Sequence, residues 1–243
     1  MDRAKFFVAI RPTFGGKMDP KQVNGVEAVL KECIKRGADI PQTAYILATA
    51  HGETGGRMQP ARENMSYTAE RIRQVWPSRF PSVAAAKPFE RNPVALANKV
   101  YNGRMGNVIG SNDGWLFRGN GIPQLTGREN HAKWGARLGI NLLLKPELMN
   151  DLSVSVRALV QPMLDGWATG LRLDRFVSGQ RRDYTGARAV WGGVDAAKYA
   201  ALARAYEAAL AASGYTAPVS QPLAPAAPNW LQTIISFIKG LLK

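Results

Sequence analysis

Residues 39–67 read DIPQTAYILATAHGETGGRMQPARENMSY. From Pro41 to Ala50 the run is almost continuously apolar, Asp39 precedes it, and Pro41 stands early, where a helix tolerates proline. The pattern predicts a buried helix that delivers Glu53 at its C-terminal end. A Gly-Gly pair and Pro60 then turn the backbone before Glu63. Two carboxylates across a turn suit glycoside cleavage, whereas two ordinary surface acids are the plain alternative, since most Glu side chains are exposed. The apolar run before Glu53 favours the first reading, because acids beside apolar surface are more often functional. The negative end of the helix dipole disfavours an ionised carboxylate, which suits Glu53 to donating a proton; Glu63 follows Arg62 in a polar segment, which suits it to remaining ionised as a base.

Working outward, residues 20–37 (PKQVNGVEAVLKECIKRG) place Val23, Val26, Val29, Leu30 and Ile34 at helical spacing, with Gly37 as the stop. Between 98 and 131, NKVYNGRMGN and SNDGWLFRGNGIPQLTGRENH carry glycines suited to tight turns, and short strands or a hairpin are expected there. The stretches ELMNDLSVSVRALVQPMLDGWATG and DAAKYAALARAYEAALAASG are rich in helix formers. The expected fold is therefore mainly α, an α+β arrangement with a small β-hairpin and loop region beside the cleft.

The chain has 243 residues and 46% hydrophobic content, enough for one substantial domain with an appendage. A lone Cys33 excludes an intrachain disulfide, so a reducing compartment is compatible with folding. FFVAI between Lys5 and Arg11 is too short for a secretory h-region, so no signal peptide is expected and cytosolic synthesis follows. A net charge of +14 points to a polyanion. Nucleic acid is disfavoured, because the basic residues are scattered and no zinc, helix-turn-helix or RNP signature is present.

Three units are expected: a catalytic domain over 1–214, a linker over 215–228 (YTAPVSQPLAPAAP, four prolines), and an amphipathic helix over 229–243 (NWLQTIISFIKGLLK). The last carries Trp230, Leu231, Ile234, Ile235, Ile238, Leu241 and Leu242 on one face. As a helix it spans roughly 22 Å against a hydrocarbon core of ~30 Å, so it suits lying in an anionic membrane surface and not crossing it. Folding back onto the domain or pairing with another chain is the alternative for such a face.

Four collinear segments resemble the family 19 glycoside hydrolases, in particular the chitinase-like endolysins of bacteriophages. AHGETGGRMQPARENMSY is similar to that family's HES/TGG and ENxxY elements, and LANKVYNGRMGN to ANxxYxxRMGN. DGWLFRGNGIPQLTGRENH is similar to GDGWxxRGRGxxQxTGxxNY, and DYTGARAVWGGVDAA to DYxxARRxINGxDxA. The resemblance covers roughly 25 to 210. It implies a lysozyme-like fold, Glu53 as general acid, Glu63 as general base, and Thr126 as the hydroxyl that helps hold the attacking water. Gln124, Tyr101 and Asn130 match substrate-contacting positions; Tyr67 and Trp115 offer rings that suit pyranose faces, and Arg104 lies in the RMGN segment. Gln124 and Thr126 could equally satisfy their own turn, and Trp115 could be core. Neither metal nor cofactor is implied.

The sequence departs from the family pattern at three places. Gly52 separates His51 from Glu53, which reads His51 as a packed, hydrogen-bonded histidine. Asn120 replaces an Arg, removing a cation near the acidic pair, and Gly192 replaces an Asn, weakening the case for a substrate contact there. The expected activity is bacteriolytic: a monomeric endolysin, made in the host cytoplasm without a signal peptide, that cuts the β-1,4 bonds of peptidoglycan with inversion once a separate pore-former admits it to the periplasm. Chitin is the runner-up substrate. A lytic transglycosylase, which needs one carboxylate, and a wall- or membrane-binding protein without catalysis are the competing classes.

Overall fold

A computed structural model describes residues 1–216. Eleven α-helices occur in it: α1 (Arg3–Ile10), α2 (Pro20–Lys35), α3 (Ile40–Glu53), α4 (Ala69–Val75), α5 (Val83–Ala86), α6 (Pro93–Tyr101), α7 (Asp113–Leu116), α8 (Arg128–Leu138), α9 (Leu152–Asp165), α10 (Arg188–Trp191) and α11 (Ala196–Ala212). One antiparallel pair, β1 (Val177–Ser178) and β2 (Arg181–Arg182), is the only sheet among the described residues. The mainly helical α+β class expected from the sequence is the observed one.

α3 is the axis of the molecule. Every residue from Pro41 to His51 is buried except Gln42, and a helix apolar on all sides has to be enclosed. Its N-terminus is fixed by a capping box in which Asp39 accepts from Gln42 N and Gln42 reaches back to Asp39 N. The threonines inside it are satisfied locally, Thr49 Oγ1 donating to Tyr45 O at 2.9 Å. α11 packs along α3, α1 packs on α11, and α2 lies against both α3 and α9. α2 starts at Pro20 with the same kind of box from Asp19, and it ends at Lys35 before Gly37, near the expected stop.

The apolar side chains form three clusters. The largest joins α1, α2, α3, α9 and α11. A second, with Met65, Ile72, Phe80, Leu96 and Val100, lies under α4 to α6. A third gathers Leu125, Leu138, Leu142, Met149 and Ala158 beneath α8 and α9. Tyr215, the first residue of the expected linker, is 4% exposed and belongs to the main cluster. The expected linker from Ala217 on and the amphipathic helix 229–243 lie outside the described residues.

The hairpin expected between 98 and 131 takes a reduced form. α6 and α7 occupy part of that stretch, and Asn98 and Asn102 accept from Trp115 N and Gly114 N, drawing the backbone into caps and turns. What remains is a pair of isolated bridges, Arg62 to Asn120 and Asn120 to Leu125, while the two-residue strands form further on, at 177–182. The bridges lash the segment carrying Glu63 to the Gly-rich loop: Glu63 N donates to Gly119 O at 2.8 Å and Gly121 N to Ala61 O at 3.0 Å.

Candidate active site

Glu53 is the last residue of α3, where the helix leaves the core. Its Oε1 accepts two hydrogen bonds, from Arg188 Nη2 at 3.0 Å and from the Tyr199 hydroxyl at 3.0 Å. Its Oε2 has no partner among the described residues. Arg188 is 8% exposed, donates its Nε to Val194 O at 3.2 Å, and lies over the Tyr199 ring, 3.9 Å from the centroid. At the C-terminal end of α3 a buried guanidinium thus faces the carboxylate, a positive charge set against the partial negative charge of the helix terminus. Burial, then the charge and hydrogen bond of Glu53, push the Tyr199 phenol up to about 12, so it stays a donor.

Two close approaches make this cluster possible. A Cβ on Gly52 would lie 2.3 Å from Cε1 of Tyr199, so only glycine lets that ring cross the end of α3. The Gly52 that breaks the family pattern between His51 and Glu53 is thereby explained. A Cβ on Gly193 would lie 2.6 Å from Arg188 Nη2, so the turn after α10 is likewise kept bare for the guanidinium. His51 is 9% exposed, bonds through Nδ1 to the Tyr206 hydroxyl at 3.0 Å and packs against Phe14; burial and Lys198 lower its pKa. It is the packed histidine expected.

Glu63 is held differently. Oε1 accepts from the Tyr101 hydroxyl at 2.8 Å and Oε2 from Gly119 N at 3.0 Å, so each oxygen takes one donor and keeps lone-pair capacity. Burial and the Glu63 charge raise the Tyr101 pKa, keeping that phenol a donor. Arg62, expected to steady Glu63, instead donates Nη2 to Leu116 O at 3.2 Å. Arg118 donates its Nε to the Glu63 backbone carbonyl at 3.1 Å; burial and the neighbouring Arg62 pull its pKa down to about 10.

The loop after Asn120 supplies the polar wall. Gln124 adopts φ +50°, a left-handed conformation that costs a non-glycine residue about 1 kcal/mol or more. Its amide nitrogen donates to Ala61 O at 2.8 Å and Gly121 O at 2.7 Å, holding the loop against the Glu63 segment. Thr126 Oγ1 donates to Gln124 O at 2.9 Å, and Asn130 Nδ2 donates to Thr126 O at 2.8 Å. These side chains satisfy their own turn and still present oxygen acceptors. A depression of about 250 Å³ joins Gln124, Thr126 and Asn130 to Trp134, Ala168 and Trp191.

Asn120 is fully buried under this loop. Its amide donates to Arg118 O at 2.7 Å and points at His131 Nε2, 3.4 Å away, while its Oδ1 accepts from Asn150. It acts as a buried strut, at a place where the family pattern carries a cation. Of the remaining expected residues, Tyr67 packs edge-on against Trp76, 5.7 Å between centroids, within the second cluster. Trp115 has one face covered by Arg118, 3.3 Å from its centroid, and Arg104 is exposed on the turn after α6. Neither ring presents two free faces. Arg188 and Tyr199 were missed by sequence reasoning; Arg188 stands in the DYTGAR segment, which was the one signal available. Among the described residues no group of three or more His, Cys, Asp or Glu side chains is arranged to hold a metal ion.

No protein-family model matches the chain. It is similar to a glycosyl hydrolase family 19 domain-containing protein of Haemophilus influenzae, 34% identical over 148 residues, which cover 59% of this chain and 72% of that protein.

Proposed function

Because this chain belongs to glycosyl hydrolase family 19, we propose that it hydrolyses the β-1,4-linked amino-sugar backbone of bacterial peptidoglycan with inversion, as an endolysin. The observation that carries the assignment of roles is the asymmetry of donors on the two carboxylates. Glu63 accepts on both oxygens from neutral donors and fits a base; Glu53 is ion-paired with Arg188 through Oε1 and keeps Oε2 unpartnered among the described residues, the oxygen from which a proton can be delivered. In the reaction Glu53 Oε2 protonates the glycosidic oxygen as the C1–O bond breaks. A water bonds to C1 from the opposite face and gives its proton to Glu63. Thr126, whose hydroxyl hydrogen is committed to Gln124 O, has its oxygen left to accept from that water. Inversion requires the two carboxyl groups to stand about 6.5–9.5 Å apart, leaving room for the water.

Peptidoglycan is favoured over chitin by the net charge of +14, which suits an anionic envelope. In this reading the enzyme acts as a monomer on the wall after a separate pore-former opens the inner membrane. Residues 229–243 assist at the anionic outer surface, so deleting them spares hydrolysis of isolated sacculi and weakens action on intact outer-membrane-bearing cells.

The test is turnover of purified sacculi and of chitohexaose by wild type, Glu53→Gln and Glu63→Gln, with the anomer followed by NMR and the new reducing-end sugar identified by mass spectrometry. Each variant should lose about 10²–10⁴-fold in kcat, and the first-formed product should be the α-anomer. Near-normal activity of Glu63→Gln, a β-anomer, or anhydro sugar ends would defeat the two-carboxylate inverting mechanism.

A further inference from the structure

Of the three aromatic side chains that the sequence offers for a sugar, none is free: Tyr101 is bound to Glu63, Tyr67 is packed on Trp76, and Trp115 lies under Arg118. The depression beside Thr126 contains two other indoles. Trp134 is anchored, its Nε1 donating to Ala158 O at 3.2 Å and its ring edge-on to Trp167. Trp191 is half-buried, rests on the main apolar cluster and makes no side-chain hydrogen bond among the described residues.

Trp191 is also placed by the catalytic geometry. It ends α10 three residues after Arg188, and residues at that spacing share a helix face. The helix that brings a guanidinium to Glu53 also carries this indole, which lines the depression with Thr126 and Asn130. α10 is held by Thr169 Oγ1 donating to Val190 O at 3.0 Å, and two positive-φ glycines turn the chain away directly after Trp191. Nothing lies within 4 Å of where a Cβ on Gly192 would be. Position 192 thus offers no side chain to a ligand, and the neighbouring residue is a large aromatic.

We propose that Trp191 is a specificity-determining residue that stacks on one N-acetylhexosamine ring of the glycan, in the depression that it lines with Thr126, Asn130 and Trp134. Gln124 and Asn130 line the same depression; their Oε1 and Oδ1 have no partners among the described residues and can accept from an acetamido N–H, while Leu125 and Trp134 give its methyl an apolar wall. The volume of about 250 Å³ lies below the roughly 300–1,000 Å³ typical of drug-sized pockets, which suits one sugar ring.

This inference rests on the glycosidase reading, so its test uses both sacculi and chitohexaose. Steady-state kinetics are measured for wild type, Trp191→Phe, Trp191→Leu and Trp191→Ala, with melting curves to check folding. Loss of the stacked face should raise KM about tenfold in Trp191→Leu and Trp191→Ala, with kcat within about twofold, while Trp191→Phe stays within about threefold of wild-type KM. Leucine fills the space without a π-face, so it carries the test even if the alanine variant fails to fold. A wild-type KM in Trp191→Leu, or a fall in kcat at constant KM, overturns the stacking role. A wild type that cleaves neither glycan instead removes the glycosidase reading and the inference with it.

Discussion

At the scale of single residues the site depends on one missing methyl group. Gly52→Ala would place Cβ against the Tyr199 ring, and although alanine favours a helix by about 1 kcal/mol over glycine, overpacking costs about 1–3 kcal/mol. The ring must move, and its bond to Glu53 Oε1 goes with it. Gly52→Ala and Tyr199→Phe should therefore lose activity to a similar degree, about tenfold or more in kcat, and the double variant should be little worse than either. Additive losses in that cycle would mean Gly52 serves something other than Tyr199. A second residue sets an acid limit. His131 is fully buried, and burial lowers its pKa from 6.5 to about 4. Since the unfolded chain binds the proton first, the neutral imidazole contributes stability that is complete above about pH 6.5 and is lost as pH falls towards 4, about 3 kcal/mol over that window. Denaturant melts at pH 7.5 and 4.5 should show a steeper loss for wild type than for His131→Gln, and the His131 ring signals should not titrate above pH 5. Glu53, Glu63, Gln124, Thr126 and Asn130 were legible as candidates because short motifs name them. Arg188 and Tyr199 were not, since they lie 135 and 146 residues from the carboxylate they hold.

At the scale of elements, α2 and α3 were readable to within a few residues because each combines helical or continuous apolar patterning with an Asp cap and an early proline. The segment from 98 to 131 was not, because the decisive bonds are those of Asn98, Asn102 and Asn120 side chains, whose partners periodicity does not encode. The two Asp caps also differ in what else they hold. Asp19 is exposed and caps α2 through Oδ1 alone. Asp39 caps α3 through Oδ1 and in addition takes Ser178 Oγ at 3.0 Å and Gly179 N at 2.8 Å on Oδ2, pinning the β1–β2 turn to the central helix. Asp19→Ala should cost about 1 kcal/mol and Asp39→Ala about 2 kcal/mol or more, read as the shift in denaturant midpoint at constant slope. Equal losses would show that the turn contributes nothing through Asp39.

At the scale of the whole molecule, the division into three apolar clusters was not visible in the sequence, since cluster membership follows from which helices meet and not from any local period. Charge, by contrast, was fully legible. Lys239 and Lys243 account for +2 of the +14, leaving +12 on residues 1–216. Charge of this size acts over about a Debye length, roughly 10 Å at 0.1 M salt and 3 Å at 1 M, so under the proposed function a polyanionic glycan would be drawn in at low salt and little at high salt. The contacts proposed inside the depression at Gln124, Asn130 and Trp191 would be polar and apolar short-range contacts, which such screening would leave largely intact. Two substrates of opposite electrostatic character therefore separate the contributions. Raising salt from about 0.05 to about 0.5 M should weaken binding of the inactive Glu53→Gln protein to intact sacculi at least about tenfold, while the wild-type KM for neutral chitohexaose stays within about twofold. The same comparison on a protein ending at residue 216 should keep most of the salt dependence, because the greater share of the positive charge lies there. A salt dependence that vanished with residues 217–243 would place the polyanion contact in that segment and not on the catalytic domain.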